Sequence, residues 1–141
     1  MKRKSEEIDT LLRVQGWAVD EQRRILGQML GREQSLMDDR RRLDDELERE
    51  KQFATENPTG AGHGFAAYVE RYGIRVADLE VLLDALRAEI EVQRERLAQD
   101  YREQKVLSEV QKNWRRKEAE ERARIEQAEL DEIAQNMFRR A

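Results

Sequence analysis

Cysteine is absent from this sequence of 141 residues, which contains one proline, one histidine and only 6% aromatic residues. Without cysteine the chain has neither disulfides nor thiolate metal sites. The few aromatic residues, together with 41% charged residues, leave little material for a globular core. These shortages argue against a compact fold and favour a thin, extended one.

Long apolar runs are missing as well. No run approaches the ~20 residues of a membrane span or the shorter core of a signal peptide. The 27 basic and 31 acidic residues nearly cancel and alternate along the chain, so no basic surface is available to hold a nucleic-acid backbone or an anionic membrane. We therefore expect a cytoplasmic protein with no nucleic-acid partner and no membrane insertion.

One short segment contains most of the turn-forming residues. The only proline, Pro58, lies between residues 55 and 64 with three of the seven glycines. Proline and glycine clusters mark turns. The sequence therefore predicts a turn over 55–64, which separates a first helix over about 5–54 from a second helix over about 65–138.

Both predicted helices have an apolar repeat with alternating steps of four and three residues. The first repeat runs from Ile8 to Ala54 and the second from Phe65 to Ala128. A sustained 3.5-residue repeat keeps one apolar seam facing a partner helix. The predicted fold class is therefore all-α: a long antiparallel two-helix coiled-coil hairpin with an overhanging C-terminal helix, in a single coiled-coil domain covering 1–141.

The turn also predicts a register. When the chain folds back, the two seams coincide layer by layer, with Glu33 opposite Leu86 and Arg40 opposite Leu79. Only one layer, Gln15 with Gln104, is wholly polar. An amide pair there would disfavour slipped registers, whereas two solvated glutamines would have no such role, and the sequence leaves both possibilities open.

In this register Trp114 lies opposite Ser5, so the second helix is unpaired beyond about residue 114. Ion pairs at helical spacing, such as Glu118 with Arg122 and Glu120 with Arg124, would support an exposed helix. Near its end, apolar residues recur at i, i+3, i+4, i+7 and i+8. This spacing predicts an apolar stripe on one face of the helix, and no other segment of the chain lies opposite to bury it. Its members are Leu130, Ile133, Ala134, Met137 and Phe138.

No pattern of catalytic residues accompanies the repeats. His63 lies in the turn without an acid, base or nucleophile arrangement around it, and the glycines at 60–64 lack the Gly-Lys-Ser/Thr ending of a phosphate loop. Carboxylates such as Asp44 and Asp45 lie among arginines, as on a solvated helix face. We expect no enzymatic activity, no cofactor and no metal.

A wider apolar band surrounds the first seam near the N-terminus, where Leu11, Val14 and Trp17 lie beside it. Packing against Tyr101 across the hairpin would explain the band. A docking surface for a partner is the alternative.

Three segments resemble the flagellar export protein FliJ family. They are Leu130-Asp131-Glu132-Ile133 with the ending 137–141, the opening segment 8–13, and the aromatic start of the second helix, Phe65-Ala66-Ala67-Tyr68. The resemblance covers nearly the whole chain. It implies a non-enzymatic component of the flagellar type III export apparatus, cytoplasmic and peripheral to the inner membrane, shaped like the gamma stalk of rotary F-type ATPases.

The resemblance also implies partners: the hexameric export ATPase, whose ring assembly such a protein promotes, the cytoplasmic domain of the export-gate membrane protein, and export chaperones. Export-gate contacts are expected at Tyr72, Val76, Leu79 and Leu83. The equivalent stalk of a virulence type III secretion system and a generic coiled-coil adaptor or scaffold are the alternative functions. The expected ATPase contacts are Leu11, Arg13, Leu130, Ile133, Met137, Phe138, Arg139 and Arg140.

Overall fold

The computed structural model describes residues 2–60 and 62–140, and it describes side chains for residues 4–60 and 64–140. The chain forms two α-helices, α1 (Lys2–Glu56) and α2 (Gly62–Arg140), and the described residues contain no strand. The predicted all-α helical hairpin is thus confirmed. The side chain of His63, expected to be an ordinary turn residue, lies outside the described residues.

At the end of helix α1 one backbone carbonyl group accepts two local hydrogen bonds. The backbone amide of Asn57 donates to the carbonyl of Phe53 at 3.0 Å, and the Asn57 side-chain amide donates to the same oxygen at 3.1 Å. Pro58 follows, and proline both lacks an N–H donor and disfavours helical geometry in the residue before it. Helix α2 then begins at Gly62, inside the segment predicted to be a turn.

The described contacts divide the chain into two compact units, one of which contains residues 22–97. We call it the turn unit. Its core on α2 is a buried row formed by Leu83, Leu86, Ile90 and Gln93. Arg87 Nε pairs with Glu33 Oε2 at 3.1 Å, and Arg40 Nη1 with Glu80 Oε1 at 2.7 Å. As residue numbers rise on α1 they fall on α2, so the two helix segments of this unit are antiparallel.

The observed register agrees with the predicted one to within one residue at two positions. Glu33 was expected opposite Leu86 and contacts Arg87, and Arg40 was expected opposite Leu79 and contacts Glu80. Long charged side chains reach past the residue directly opposite, which accounts for the difference.

The other unit contains residues 1–21 and 98–141, and we call it the terminal unit. Ile8 and Val19 are buried on its α1 segment. Across the contact, Gln111 donates a hydrogen bond to Asp9, and Arg115 lies 3.4 Å from the same carboxylate. Gln15, later on α1, contacts Asp100, earlier on α2, so the helix segments of this unit are antiparallel as well.

Of the two possibilities left open for the layer of Gln15 and Gln104, the amide pair is not formed. The Gln15 amide donates to the backbone carbonyl of Asp100 at 3.1 Å and lies 3.5 Å from the Glu103 carboxylate, instead of pairing with Gln104. A glutamine side chain is long enough to reach a neighbouring turn of the partner helix, so its bonding partner is not fixed by the layer it occupies.

Candidate partner-binding surfaces

Among the described side chains, the Trp114 ring of α2 lies near the beginning of α1, with the Lys4 ammonium 4.9 Å and the Lys117 ammonium 5.0 Å from its centroid. Helix α2 continues well beyond this ring. Every residue from 122 to 140 is exposed. We call residues 122–140 the C-terminal arm.

Polar side chains within the helix support this exposed segment. Arg116 lies 3.8 Å from Glu120, and the Arg124 guanidinium lies 2.6 Å from Glu121, where it holds the pKa of that carboxyl below its usual range. The predicted spacings of Glu118 with Arg122 and Glu120 with Arg124 are not the ones used. Pairs of this kind each stabilise an exposed helix by ~0.2–0.5 kcal/mol, and these two lie where the arm joins the rest of α2.

The apolar stripe predicted near the end of α2 lies on this arm. Leu130, Ile133 and Met137 are 60%, 54% and 68% exposed, and Phe138 is 85% exposed. With Ala134, these residues form what we call the C-terminal stripe. Burial of such an apolar row in a groove of another protein makes the free energy of binding more favourable.

Two cations, Arg139 and Arg140, follow the stripe in the last turn of α2. Positive charge is favourable there because the carbonyl ends of the helix carry partial negative charge. The end of the arm therefore combines an apolar face with a basic tip, and its chemistry suits a groove that is apolar inside and acidic at its rim.

The two remaining ATPase candidates lie at the other end of the chain, on α1. Leu11 is 52% exposed, and Arg13 is exposed with its guanidinium 3.5 Å from the Thr10 hydroxyl. Trp17 lies two helical turns C-terminal to Thr10 on α1 and is 64% exposed. Packing within the hairpin therefore leaves most of the tryptophan ring in solvent. All eight ATPase candidates belong to the terminal unit.

The four export-gate candidates belong to the turn unit, where they lie along the seam of α2. Tyr72, Val76 and Leu79 are half-buried, and Leu83 is buried. The structure brings them together on one face of α2, but that face already packs against α1. A partner could contact only their exposed edges.

Tyr72 belongs to a polar network as well as to the seam. Its hydroxyl donates to the Asp44 carboxylate, which also accepts a 3.2 Å hydrogen bond from Arg40 Nε. The Tyr72 hydrogen bond, and after it the one from Arg40, holds the pKa of Asp44 below its usual range. The same bond raises the pKa of Tyr72. This network fixes the tyrosine ring in the helix pair.

Other exposed apolar residues on α2 were not predicted as a surface. Ile74, Val81 and Val92 are 58%, 69% and 56% exposed. Their signal in the sequence is a second four-and-three repeat, which follows the first repeat by two residues.

The described residues contain no group of three or more metal-binding side chains, and no helix among them is long and apolar enough to cross a membrane. In comparisons with known proteins, the sequence model of the family described as flagellar FliJ protein matches residues 4–141. Searches of curated proteins and of solved structures returned no match.

Proposed function

The chain belongs to the flagellar FliJ protein family, and on this basis we propose that it is the non-enzymatic central stalk of the flagellar type III export apparatus. Membership makes it a protein of that apparatus. The proposal adds that it binds the hexameric export ATPase, promotes assembly of the ATPase ring, and couples the ring to the export gate. Its proposed location is cytoplasmic, peripheral to the inner membrane.

The single observation that carries the ATPase role is the exposed C-terminal stripe. Full burial of a Leu, Ile, Met or Phe side chain contributes about 1.5–3 kcal/mol. The four large side chains of the stripe are each more than half exposed. Burial of all four in a groove would therefore contribute several such amounts to the free energy of binding. Part of that gain is offset by the lost freedom of the partners and by ordering of their side chains.

The shape of the binding element also supports a stalk. The arm is one α-helix without a described partner helix, continuous with the rest of α2. A single helix is about 10–12 Å in diameter with its side chains, so it suits insertion into a narrow opening better than a helix pair does. Exposed Leu11 and Arg13 on α1 would add contacts where the paired segments meet the ring.

The export-gate role rests on residues 72–83 and on less exposed surface. Because these side chains pack in the seam, gate binding would use their exposed edges. We expect the cytoplasmic domain of the gate protein to slow amide hydrogen exchange across 72–83. Unchanged exchange there at saturating gate domain would contradict this assignment. Export chaperones are the third proposed class of partner.

The ATPase proposal is tested with the purified cognate flagellar export ATPase. We expect the wild-type chain to increase hexamer formation and ATP hydrolysis, and the double variant Ile133→Asp/Met137→Asp to lose both effects. Gln135→Asp/Asn136→Asp is the matched control, because it places the same two negative charges on the same exposed arm outside the stripe. An ATPase that assembles and hydrolyses equally with and without the wild-type chain would overturn the proposal.

The same variants separate the alternatives. A generic adaptor that dimerises through the stripe would lose self-association in sedimentation when Ile133 and Met137 are replaced, without any effect on the ATPase. A virulence-system stalk would prefer the ATPase of that system over the flagellar one, and the family match favours the flagellar partner.

A further inference from the structure

A second apolar repeat runs along the exposed side of α2 within the turn unit. Its steps alternate between four and three residues, and each member comes two residues after a member of the seam that packs on α1. At 100° per residue, two residues turn the helix by about 200°, which places this repeat on the opposite face. We call it the outer seam; it consists of Ile74, Asp78, Val81, Ala85, Ala88 and Val92.

The exposure of the two faces differs sharply. On the packed face Leu83 and Ile90 are 7% and 4% exposed, whereas on the outer seam Val81 is 69% exposed. Leu82, beside the outer seam, is 48% exposed and widens the apolar surface. Single exposed apolar residues are common on proteins. A row at coiled-coil spacing over nearly three heptads is different, because that spacing aligns side chains for contact with another helix.

The middle of the outer seam contains small residues. Ala85 and Ala88 are exposed and lie between the larger Val81 and Val92. Small side chains let a neighbouring helix axis approach closely, while the larger ones at either side act as knobs. The face is therefore shaped to receive a helix, with Val81 near the centre of the contact.

Between residues 78 and 91 the charges beside the outer seam are acidic apart from Arg87, while Arg75 lies at the Ile74 end of the seam. Asp84, Glu89 and Glu91 flank it, and Asp78 lies within it. Within the described residues Asp78, Asp84 and Glu89 have no ion-pair partner, and Glu91 has only Arg94 at 3.9 Å.

The one cation of the sequence between residues 78 and 91, Arg87, does not neutralise this acidic surface, because it pairs with Glu33 of α1 at 3.1 Å. Two copies of such a face would bring carboxylates together, and like charges placed opposite one another are unfavourable. A helix with lysine or arginine beside its apolar stripe would instead meet complementary charge.

We propose that the outer seam binds a basic amphipathic helix of another protein. The apolar stripe of that helix packs on Ile74, Val81 and Val92, and its cations face Asp84, Glu89 and Glu91. This surface belongs to the turn unit and shares no residue with the C-terminal stripe, so the inference goes beyond the ATPase role and does not depend on it.

The probes for this surface are two synthetic, fluorescently labelled amphipathic peptides with the same leucine stripe. One carries lysine beside the stripe and the other carries glutamate. Fluorescence anisotropy with the full chain is expected to show at least about tenfold tighter binding of the lysine peptide. Its affinity should fall as salt concentration rises, since salt screens exposed charges.

Val81→Asp is the decisive variant, and Val106→Asp is its matched control, because Val106 is an exposed valine outside the outer seam. Both substitutions add one negative charge. Purely electrostatic attraction of the lysine peptide would therefore increase in both variants. We expect Val81→Asp to weaken binding at least about tenfold and Val106→Asp to leave it at or above the wild-type affinity.

Several outcomes would overturn the inference. The first is failure of the lysine peptide to bind the wild-type chain, and the second is equal affinity of the peptide for wild type and Val81→Asp. The third is a wild-type dimer in sedimentation that Val81→Asp converts to a monomer, because a second copy of the chain would then occupy the outer seam. Circular dichroism shows whether both variants keep wild-type helicity. Promotion of ATPase hexamer formation should be unchanged by Val81→Asp, so failure here is distinguishable from failure of the stalk proposal.

Discussion

The side-chain amide of Gln93 donates a 3.1 Å hydrogen bond to the backbone carbonyl of Gln22 on the facing helix. It also donates to the side-chain oxygen of Gln22. Gln93 is only 3% exposed and lies one helical turn from buried Ile90. The turn unit thus has a satisfied polar contact inside its apolar row, and such a contact favours the one register in which both amides meet.

Two substitutions of Gln93 test the contribution of its amide to stability. Gln93→Ala should lower the free energy of unfolding by about 1–3 kcal/mol, because it leaves a cavity and removes the hydrogen bonds to Gln22. Gln93→Leu should recover most of that loss by refilling the space with apolar atoms. Urea unfolding followed by circular dichroism measures both values. Equal stability of wild type and Gln93→Ala would contradict the buried contact.

The Tyr72 network predicts a pH-dependent stability. Its hydrogen bonds depress the pKa of Asp44 in the folded chain, so the stabilisation is present above the unfolded-state pKa and is lost as pH falls through the folded-state value. Tyr72→Phe should raise the pKa of Asp44 in an NMR titration. The difference in melting temperature between wild type and Tyr72→Phe should shrink on acidification below the carboxyl range.

A constant difference in melting temperature at all acid pH values would show that the tyrosine acts only through ring packing. Tyr68→Phe is the control for the lost hydroxyl, because Tyr68 is also half-buried on α2. Its effect should not change as Asp44 titrates.

Gly73 lies inside α2 with open space around it. An added Cβ would meet no atom within 4 Å, and none of the described glycines has a positive φ. Alanine is up to about 1 kcal/mol more favourable than glycine inside a helix. We therefore expect Gly73→Ala to raise the free energy of unfolding by an amount of that order, measured by urea unfolding. A lower stability would show that the glycine permits a bend that alanine restricts.

The C-terminal arm is expected to be separable from the fold. A chain that ends at Glu121 should unfold at a urea concentration close to that of wild type, because residues 122–140 are all exposed and bury little apolar surface in the fold. The same truncation should abolish binding of the export ATPase. A large drop in stability would mean that the arm packs on the rest of the chain.

Much of this arrangement was predictable from the sequence. The four-and-three repeats and Pro58 predict two helices and the region that separates them, because a 3.5-residue period and a helix-breaking residue are local signals. The contacts of Glu33 and Arg40 were predicted to within one residue, because both seams can be counted outward from the same turn.

The polar contacts were less predictable. The register places Gln15 opposite Gln104 and leaves open whether the two amides pair, whereas the buried amide contact is between Gln22 and Gln93. Spacing fixes which layer a residue occupies, but a flexible side-chain amide can hydrogen-bond to any suitable group within one helical turn of that layer. The Tyr72 hydroxyl likewise reaches Asp44, a contact that its seam position did not indicate.

The outer seam was missed for a different reason. One continuous repeat accounted for most of the large apolar residues of the second helix, so Ile74, Val81 and Val92 remained as isolated surface residues. Only their exposure on the face opposite Leu83 and Ile90 shows that they form a second row. Repeats in two phases of one helix are the sequence signal for this arrangement.

The most direct test of the stalk account is the affinity of the full chain for the purified flagellar export ATPase, measured by isothermal titration calorimetry. Three variants are compared with wild type: Ile133→Asp, Gln135→Asp and Val81→Asp. The account predicts that Ile133→Asp weakens binding at least about tenfold, while the other two bind as wild type does. Equal affinity of Ile133→Asp and wild type for the ATPase would contradict it.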